Sequence, residues 1–167
     1  MTESKNKILN KTAVFPGSFD PFTKGHESIV KRALPLFDRV IIAIGYNSNK
    51  MGFFPLEDRM NWIRDIFANY PEVMVEQYNG LTVDFCKSVH ANYILRGIRT
   101  SSDFEYERAI AQTNKQMHPE IESVFILTTP EITHITSTIV RDIIRHGNDA
   151  SMFLPKEIFI DPKKYNI

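Results

Sequence analysis

Residues 12–26 read Thr12-Ala13-Val14-Phe15-Pro16-Gly17-Ser18-Phe19-Asp20-Pro21-Phe22-Thr23-Lys24-Gly25-His26. The run Thr12 to Phe15 predicts a short strand. Pro16 to Lys24 predict a loop. From Gly25 to Phe37 the residues Ile29, Val30, Ala33, Leu34 and Phe37 fall on one helical stripe, which Pro35 should kink or end early. A strand that passes through a glycine-bearing loop into a helix is the repeating unit of an α/β fold. Gly17 and Gly25 permit close backbone approach and Ser18 offers a hydroxyl. His26 stands in the first helical turn, where unpaired N–H groups hold anions well.

The same unit recurs along the chain. Further strands are predicted over Arg39 to Ile44, Glu72 to Tyr78, Tyr93 to Leu95 and Ser123 to Thr128, several of them nearly continuous apolar runs. Helices are predicted between them. One opens at Pro55 and carries Met60, Ile63, Ile66 and Phe67; others span Leu81 to His90, Ser102 to Met117 and Thr136 to His146, the last stopping at Gly147. Phe153 to Ile167 read as a terminal coil or short helix. Strands buried on both faces are parallel, so the predicted fold is α/β, a doubly wound five-stranded parallel sheet of Rossmann-like type in a single domain. In such sheets ligands sit beyond the carboxyl ends of the strands. The relevant loops are therefore those around Pro16 to Lys24, Tyr46 to Phe54, Asn79 to Thr82, Arg96 to Ser101 and Thr129 to Thr136.

Composition narrows the function. Of 167 residues, 43% are hydrophobic and 24% charged, as in an ordinary globular domain. Twenty Lys and Arg balance twenty Asp and Glu, so no net field draws the chain to nucleic acid or an anionic membrane. Apolar runs such as Val40 to Ile44 fall far short of the roughly 20 residues a membrane helix needs. Met1 to Lys11 are polar and lack an apolar signal core, so a frayed tail over residues 1–10 and a cytoplasmic location are expected. Cys86 has no cysteine partner and should pack in the interior. The seven glycines form neither G-x-G-x-x-G nor G-x-x-x-x-G-K-[ST], which argues against a dinucleotide enzyme or a P-loop ATPase.

The string Phe15 to His26, followed by Arg96-Gly97-Ile98-Arg99, Asp103-Phe104-Glu105-Tyr106-Glu107 and Ile135-Thr136-Ser137-Thr138-Ile139-Val140-Arg141, closely resembles the bacterial phosphopantetheine adenylyltransferase family. The resemblance extends from about Lys11 to Phe153-Leu154-Pro155. T-x-G-H and the late Ser/Thr motif mark the wider nucleotidyltransferase superfamily; the acidic-aromatic string points to the narrower family. The resemblance implies transfer of the adenylyl group of ATP to 4′-phosphopantetheine, giving 3′-dephospho-coenzyme A and pyrophosphate, in a homohexamer.

It also implies roles for individual residues. Ser18 matches the position that touches both substrates, and His26 the histidine that stabilises the pentacovalent transition state. Lys50 and Arg96 match the cations that hold the acceptor phosphate, with Thr82 on the pantetheine side. Arg99 matches an ATP-phosphate position, and the implied catalytic set is His26, Ser18, Lys50 and Arg99. Phe19, Gly97, Ile98, Glu107 and the segment Ile132, Thr133, His134, Ile135, Thr136, Ser137, Thr138 complete the implied nucleotide site. Arg141 corresponds to a superfamily arginine at the ATP phosphates. Magnesium is expected with ATP. The histidines His90, His118, His134 and His146 lack metal-ligand spacing, so no protein metal cage is expected.

Three positions depart from the family pattern. Phe15 stands where tyrosine is frequent, Thr82 where leucine or methionine is usual, and Ile132 where an aromatic or histidine often packs near adenine. Alternative readings are an adenylyl- or cytidylyltransferase with another phosphate acceptor, and a non-catalytic nucleotide-sensing module. Lys50 and the acidic-aromatic string argue against the first. The joint presence of Ser18, His26, Lys50, Arg96 and Arg99 argues against the second.

Overall fold

A computed structural model describes residues 11–46 and 51–165. The proposed N-terminal tail, residues 1–10, lies outside the described residues. Five strands form one sheet: β1 (Thr12–Gly17), β2 (Arg39–Gly45), β3 (Val73–Tyr78), β4 (Tyr93–Ile98) and β5 (Glu122–Leu127). Their order is β3-β2-β1-β4-β5 and every neighbouring pair is parallel. The helices between and after them are α1 (Lys24–Ala33), α2 (Leu56–Ile66), α3 (Thr82–Ser88), α4 (Ser101–Met117), α5 (Ser137–Arg145) and α6 (Pro162–Tyr165).

The central strands bury both faces, as continuous apolar runs require. Ala13 and Phe15 of β1 pack with Val40, Ile42 and Ile44 of β2 on one side, where α1 supplies Ile29, Val30 and Ala33. Val14, Ile41 and Ala43 face the other side, against Val83 and Cys86 of α3. The edge strands β3 and β5 are more exposed. Pro35 ends α1 early, at Ala33, and the stripe continues as a 3₁₀ turn over Leu34–Leu36. Pro55 caps α2 from outside instead of occupying its first turn. Gly147 takes a left-handed backbone, φ 72°, two residues after α5.

Strand β4 runs further than its apolar residues indicate. Arg96 and Gly97 lie within it, not in the following loop. Glycine gives α1 room there: a Cβ on Gly97 would stand 3.1 Å from the Ile29 side chain, closer than ordinary contact. Strand order reverses between β1 and β4, and the pairing of these two strands contains only Ala13–Tyr93 and Val14–Ile94, against six pairs between β1 and β2. Beyond Val14 the guanidinium of Arg96 takes over from the ladder, donating from Nη1 to the Pro16 carbonyl at 3.0 Å. A crevice therefore opens at the carboxyl ends of β1 and β4, at the topological switch point.

Cys86 is fully buried, and burial pushes its thiol up to about 12. In the native protein a thiol reagent should leave Cys86 unmodified under conditions that label the unfolded chain completely, and Cys86→Ala should cost about 1 kcal/mol of stability through lost packing.

Candidate active site

The crevice is a cleft of about 540 Å³ bounded by the β1–α1 loop, the ends of β4, the first turns of α4 and the N-terminus of α5. The start of α1 organises it. His26 is the third residue of that helix and completes a capping box with Thr23, the position usually filled by Glu or Gln. The Thr23 backbone N–H donates to His26 Nδ1 at 3.0 Å, and the Thr23 hydroxyl lies 3.1 Å from the same nitrogen. A ring nitrogen that accepts carries no proton, so the neutral imidazole bears its hydrogen on Nε2.

Three phenylalanines hold that ring. Its centroid lies 5.1 Å from Phe19, edge-on, 5.2 Å from Phe22 and 6.4 Å from Phe15. Phe15 thus fills the place of the frequent tyrosine with an aromatic wall for the imidazole. Burial among these rings, with Arg99 and Arg96 nearby, depresses His26 to about 4. At neutral pH it is an uncharged N–H donor. Phe19 adopts φ 45°, a costly backbone for a bulky residue, and Gly17 makes room for it: a Cβ there would sit 2.7 Å from the Phe19 ring.

Three arginines line the cleft: Arg96, Arg99 and Arg141. Arg96 is gripped by Glu107, with Nε donating to Oε2 at 2.7 Å and Nη2 donating to Oε1. Glu107 is the one buried residue of α4, so its carboxylate sits where a helix normally puts an apolar side chain. With three of its five N–H groups engaged, Arg96 retains donors for an anion. Arg99 is more open, its Nε donating to Asp103 Oδ2 at 3.2 Å. Arg141 donates from Nη1 to the Asp20 carbonyl at 2.7 Å and from Nη2 to Thr138 Oγ1 at 3.2 Å.

Most sequence-predicted residues converge on this cleft: Ser18, Phe19, His26, Arg96, Gly97, Arg99, Glu107 and, on the α5 side, Ile135, Thr136, Ser137 and Thr138. The α5 hydroxyls are partly engaged. Thr136 Oγ1 accepts from the Ile139 N–H at 3.1 Å and caps the helix; the Ser137 hydroxyl donates to the Pro21 carbonyl at 2.8 Å. The first turns of α1 (Gly25, His26) and α5 (Ser137, Thr138) thus line one space, an arrangement that favours negative charge.

Other predicted residues lie apart from it. Ile98 is buried and does not line the cleft. Ile132 packs against the core, the Thr133 hydroxyl donates to the Thr129 carbonyl at 2.9 Å, and His134 is exposed with its ring edge toward Phe153. Thr82 lines a smaller side pocket of about 190 Å³ that shares the walls Pro16, Arg96 and Glu107 with the main cleft. Lys50 lies outside the described residues.

Two buried residues outside this cleft, Asp20 and Arg59, are assigned no role by the resemblance, although Asp20 stands within the string Phe15 to His26. Arg59 does carry a sequence signal, because it shares the helical stripe of Trp62, Ile63 and Ile66, where a cation is out of place.

A family model described as cytidylyltransferase-like matches residues 14–143. A protein of Flavobacterium psychrophilum named phosphopantetheine adenylyltransferase is 50% identical over 148 residues, covering 89% of this chain and 97% of that one. A protein of the same name from Christiangramia forsetii is 52% identical over 145 residues, covering 87% of this chain and 95% of the relative. Among solved structures, a bifunctional NMN adenylyltransferase/ADP ribose pyrophosphatase from Francisella tularensis superposes with a TM-score of 0.67 at 23% identity, over 95% of this chain and 48% of that one. That likeness is one of fold.

The depressed His26 pKa has a thermodynamic consequence. Between pH 6.5 and about 4 the unfolded chain binds a proton at this site that the folded chain does not, so the folded state loses stability as pH falls through that window. His26→Gln keeps a capping-box partner but does not titrate. In urea denaturation at stepped pH, the wild type should lose stability relative to His26→Gln below pH 6.5, by at most about 1.4 kcal/mol per pH unit. Parallel profiles would contradict the assignment.

Proposed function

Since the chain belongs to the phosphopantetheine adenylyltransferases, nucleotidyltransferases of coenzyme A biosynthesis, we propose that its cleft aligns ATP with 4′-phosphopantetheine for direct adenylyl transfer. A phosphate oxygen of the acceptor attacks the α-phosphorus. The bond from that phosphorus to the bridging oxygen breaks, and pyrophosphate leaves. No protein nucleophile is required, so catalysis consists of alignment and stabilisation of charge on the phosphate oxygens. The observation that carries this reading is the neutral imidazole of His26, held with Nε2–H as its donor where two helix N-termini and three arginines meet.

The roles follow the geometry. His26 donates to the α-phosphate as charge builds on its oxygens, and Ser18, which lines both the cleft and the adjoining space before α2, reaches both substrates. Arg99, with most of its donors open, holds the ATP phosphates together with the N-termini of α1 and α5 and with Arg141. Arg96 and Lys50 hold the acceptor phosphate, and Glu107 orients the Arg96 guanidinium. The side pocket next to Arg96 takes the pantetheine arm: Ile94, Ile110 and Phe125 supply apolar walls, while Thr82 and Asn114 supply polar groups suited to an amide chain. Gly97 and Ile135 flank the nucleotide, while Ile132, Thr133 and His134 stand outside the cleft.

Magnesium enters as part of the substrate, on the triphosphate. The two carboxylates of the cleft, Asp103 and Glu107, are both paired with arginines, and no cluster of three or more metal-binding side chains occurs among the described residues. A cytoplasmic homohexamer is the proposed form. No helix among the described residues is long and apolar enough to cross a membrane, and α4 leaves Phe104 and Met117 exposed for contact between copies.

Pyrophosphate release from ATP, magnesium and a panel of phosphate acceptors tests the reaction: 4′-phosphopantetheine should be consumed in preference to nicotinamide mononucleotide or glycerol phosphate. His26→Ala should lower turnover by roughly 10²- to 10³-fold with the fold intact, as loss of a positioned oxyanion donor does. Near-normal turnover would exclude His26 from the chemistry. Titrations with each ligand alone should separate the cations. Lys50→Ala and Arg96→Ala should weaken phosphopantetheine roughly tenfold to a hundredfold and leave ATP little changed, while Arg99→Ala does the reverse.

A further inference from the structure

The loop after β1 is fastened from behind by a buried ion pair. Asp20 and Arg59 are 7% and 6% exposed. The Asp20 carboxylate accepts from two consecutive backbone N–H groups, Phe53 to Oδ2 at 2.6 Å and Phe54 to Oδ1 at 2.9 Å. Arg59 donates from Nη1 to the Ser18 carbonyl at 2.6 Å, and its Nε lies 4.0 Å from Asp20 Oδ1. Neither side chain lines the 540 Å³ cleft, although Ser18, whose carbonyl Arg59 holds, and its neighbour Phe19 do; the pair sits instead in the wall of an adjoining space of about 870 Å³ that Ser18 and residues 51–56 also line. The pair thus links two segments that the main chain leaves far apart: residues 18–20, on the nucleotide side, and 52–54, which follow Lys50 in sequence by two residues.

Gly52 shows how tightly the link is built. A Cβ at that position would stand 3.0 Å from Arg59 Nη2, 3.0 Å from the Phe54 carbonyl and 3.1 Å from Asp20 Oδ2. Only glycine passes there without moving the pair. The burial is also costly: among the described residues Arg59 Nε has no hydrogen-bond partner, its nearest carboxylate oxygen being Asp20 Oδ1 at 4.0 Å.

We propose that Asp20 and Arg59 are positioning residues for adenylyl transfer, locking the Ser18 backbone to the 52–54 segment so that the ATP and acceptor halves of the site keep one fixed register. The inference rests on the reaction proposed above. Each substrate has its own phosphate ligands, so each binds alone even when the halves shift. What the shift removes is in-line alignment, and misplacement by about 1 Å costs on the order of a hundredfold in rate. The loss therefore falls on kcat and spares the separate affinities.

Three variants test this. Asp20→Asn keeps the volume but turns an amide NH2 toward one of two N–H donors, Arg59→Lys keeps the charge but loses the fork, and Gly52→Ala disturbs the pair with both side chains intact. Turnover is measured below each melting temperature, alongside titration with ATP alone and with phosphopantetheine alone. Expected are falls in kcat of about tenfold or more for Asp20→Asn and Arg59→Lys, with both dissociation constants within about threefold of wild type. Gly52→Ala should show the same kcat-selective loss, and it decides the matter if the other two fail to fold. Folded variants with kcat within twofold of wild type, or with kcat losses matched by weaker binding of one substrate, would overturn the positioning role alone. Absence of wild-type turnover in the same assay would overturn the reaction and this inference with it.

Discussion

One hydrogen bond, from the Thr23 backbone N–H to His26 Nδ1, joins the fold to the chemistry. As a helix cap it satisfies a donor that would otherwise be stranded at the start of α1. As a constraint on the imidazole it fixes the tautomer. The three phenylalanines around the ring then remove the water that would favour imidazolium, and the neighbouring arginines act in the same direction. A side chain that ordinarily titrates near neutrality becomes a neutral donor across the physiological range, placed at the end of the sheet where the strand order reverses.

The surrounding site is built from cations already in use. Arg96 bridges β1 to β4 where their ladder stops, Arg141 ties α5 to the Asp20 carbonyl, and Arg59 ties α2 to the Ser18 carbonyl. Ser137 adds a contact to the Pro21 carbonyl. The loop from Ser18 to Pro21 is consequently held through three of its own backbone oxygens by two separate elements, α2 and α5, which is how a residue such as Phe19 can persist at φ 45°. Guanidinium groups suit this double duty, since one edge can hold protein while the remaining donors meet phosphate.

The parallel α/β architecture was readable from the alternation of apolar runs and amphipathic stretches, because strands buried on both faces have few polar residues to confuse the pattern. Most of the site was readable too, since the loops after β1 and β4 and the N-terminus of α5 carry it. Side-chain pairing was not. Arg96 and Glu107 are 11 residues apart on different elements, and nothing local shows that they hold each other in place of being held apart for ligands. The extension of β4 through Arg96 and Gly97 was hidden because a charged residue and a glycine break the apolar run. Ile132, Thr133 and His134 adjoin the Ser/Thr motif in sequence, yet the 3₁₀ turn over Pro130–Ile132 sets them away from the cleft that Ile135 and Thr136 line.

The central claim is that His26 meets its substrate as a neutral imidazole with the proton on Nε2. Nitrogen NMR of ring-labelled histidine across a pH titration reads tautomer and charge directly. The spectra should show an Nε2–H ring through neutral pH, with protonation only as the pH approaches about 4. An Nδ1–H ring, or an imidazolium already forming near pH 6.5, would contradict it.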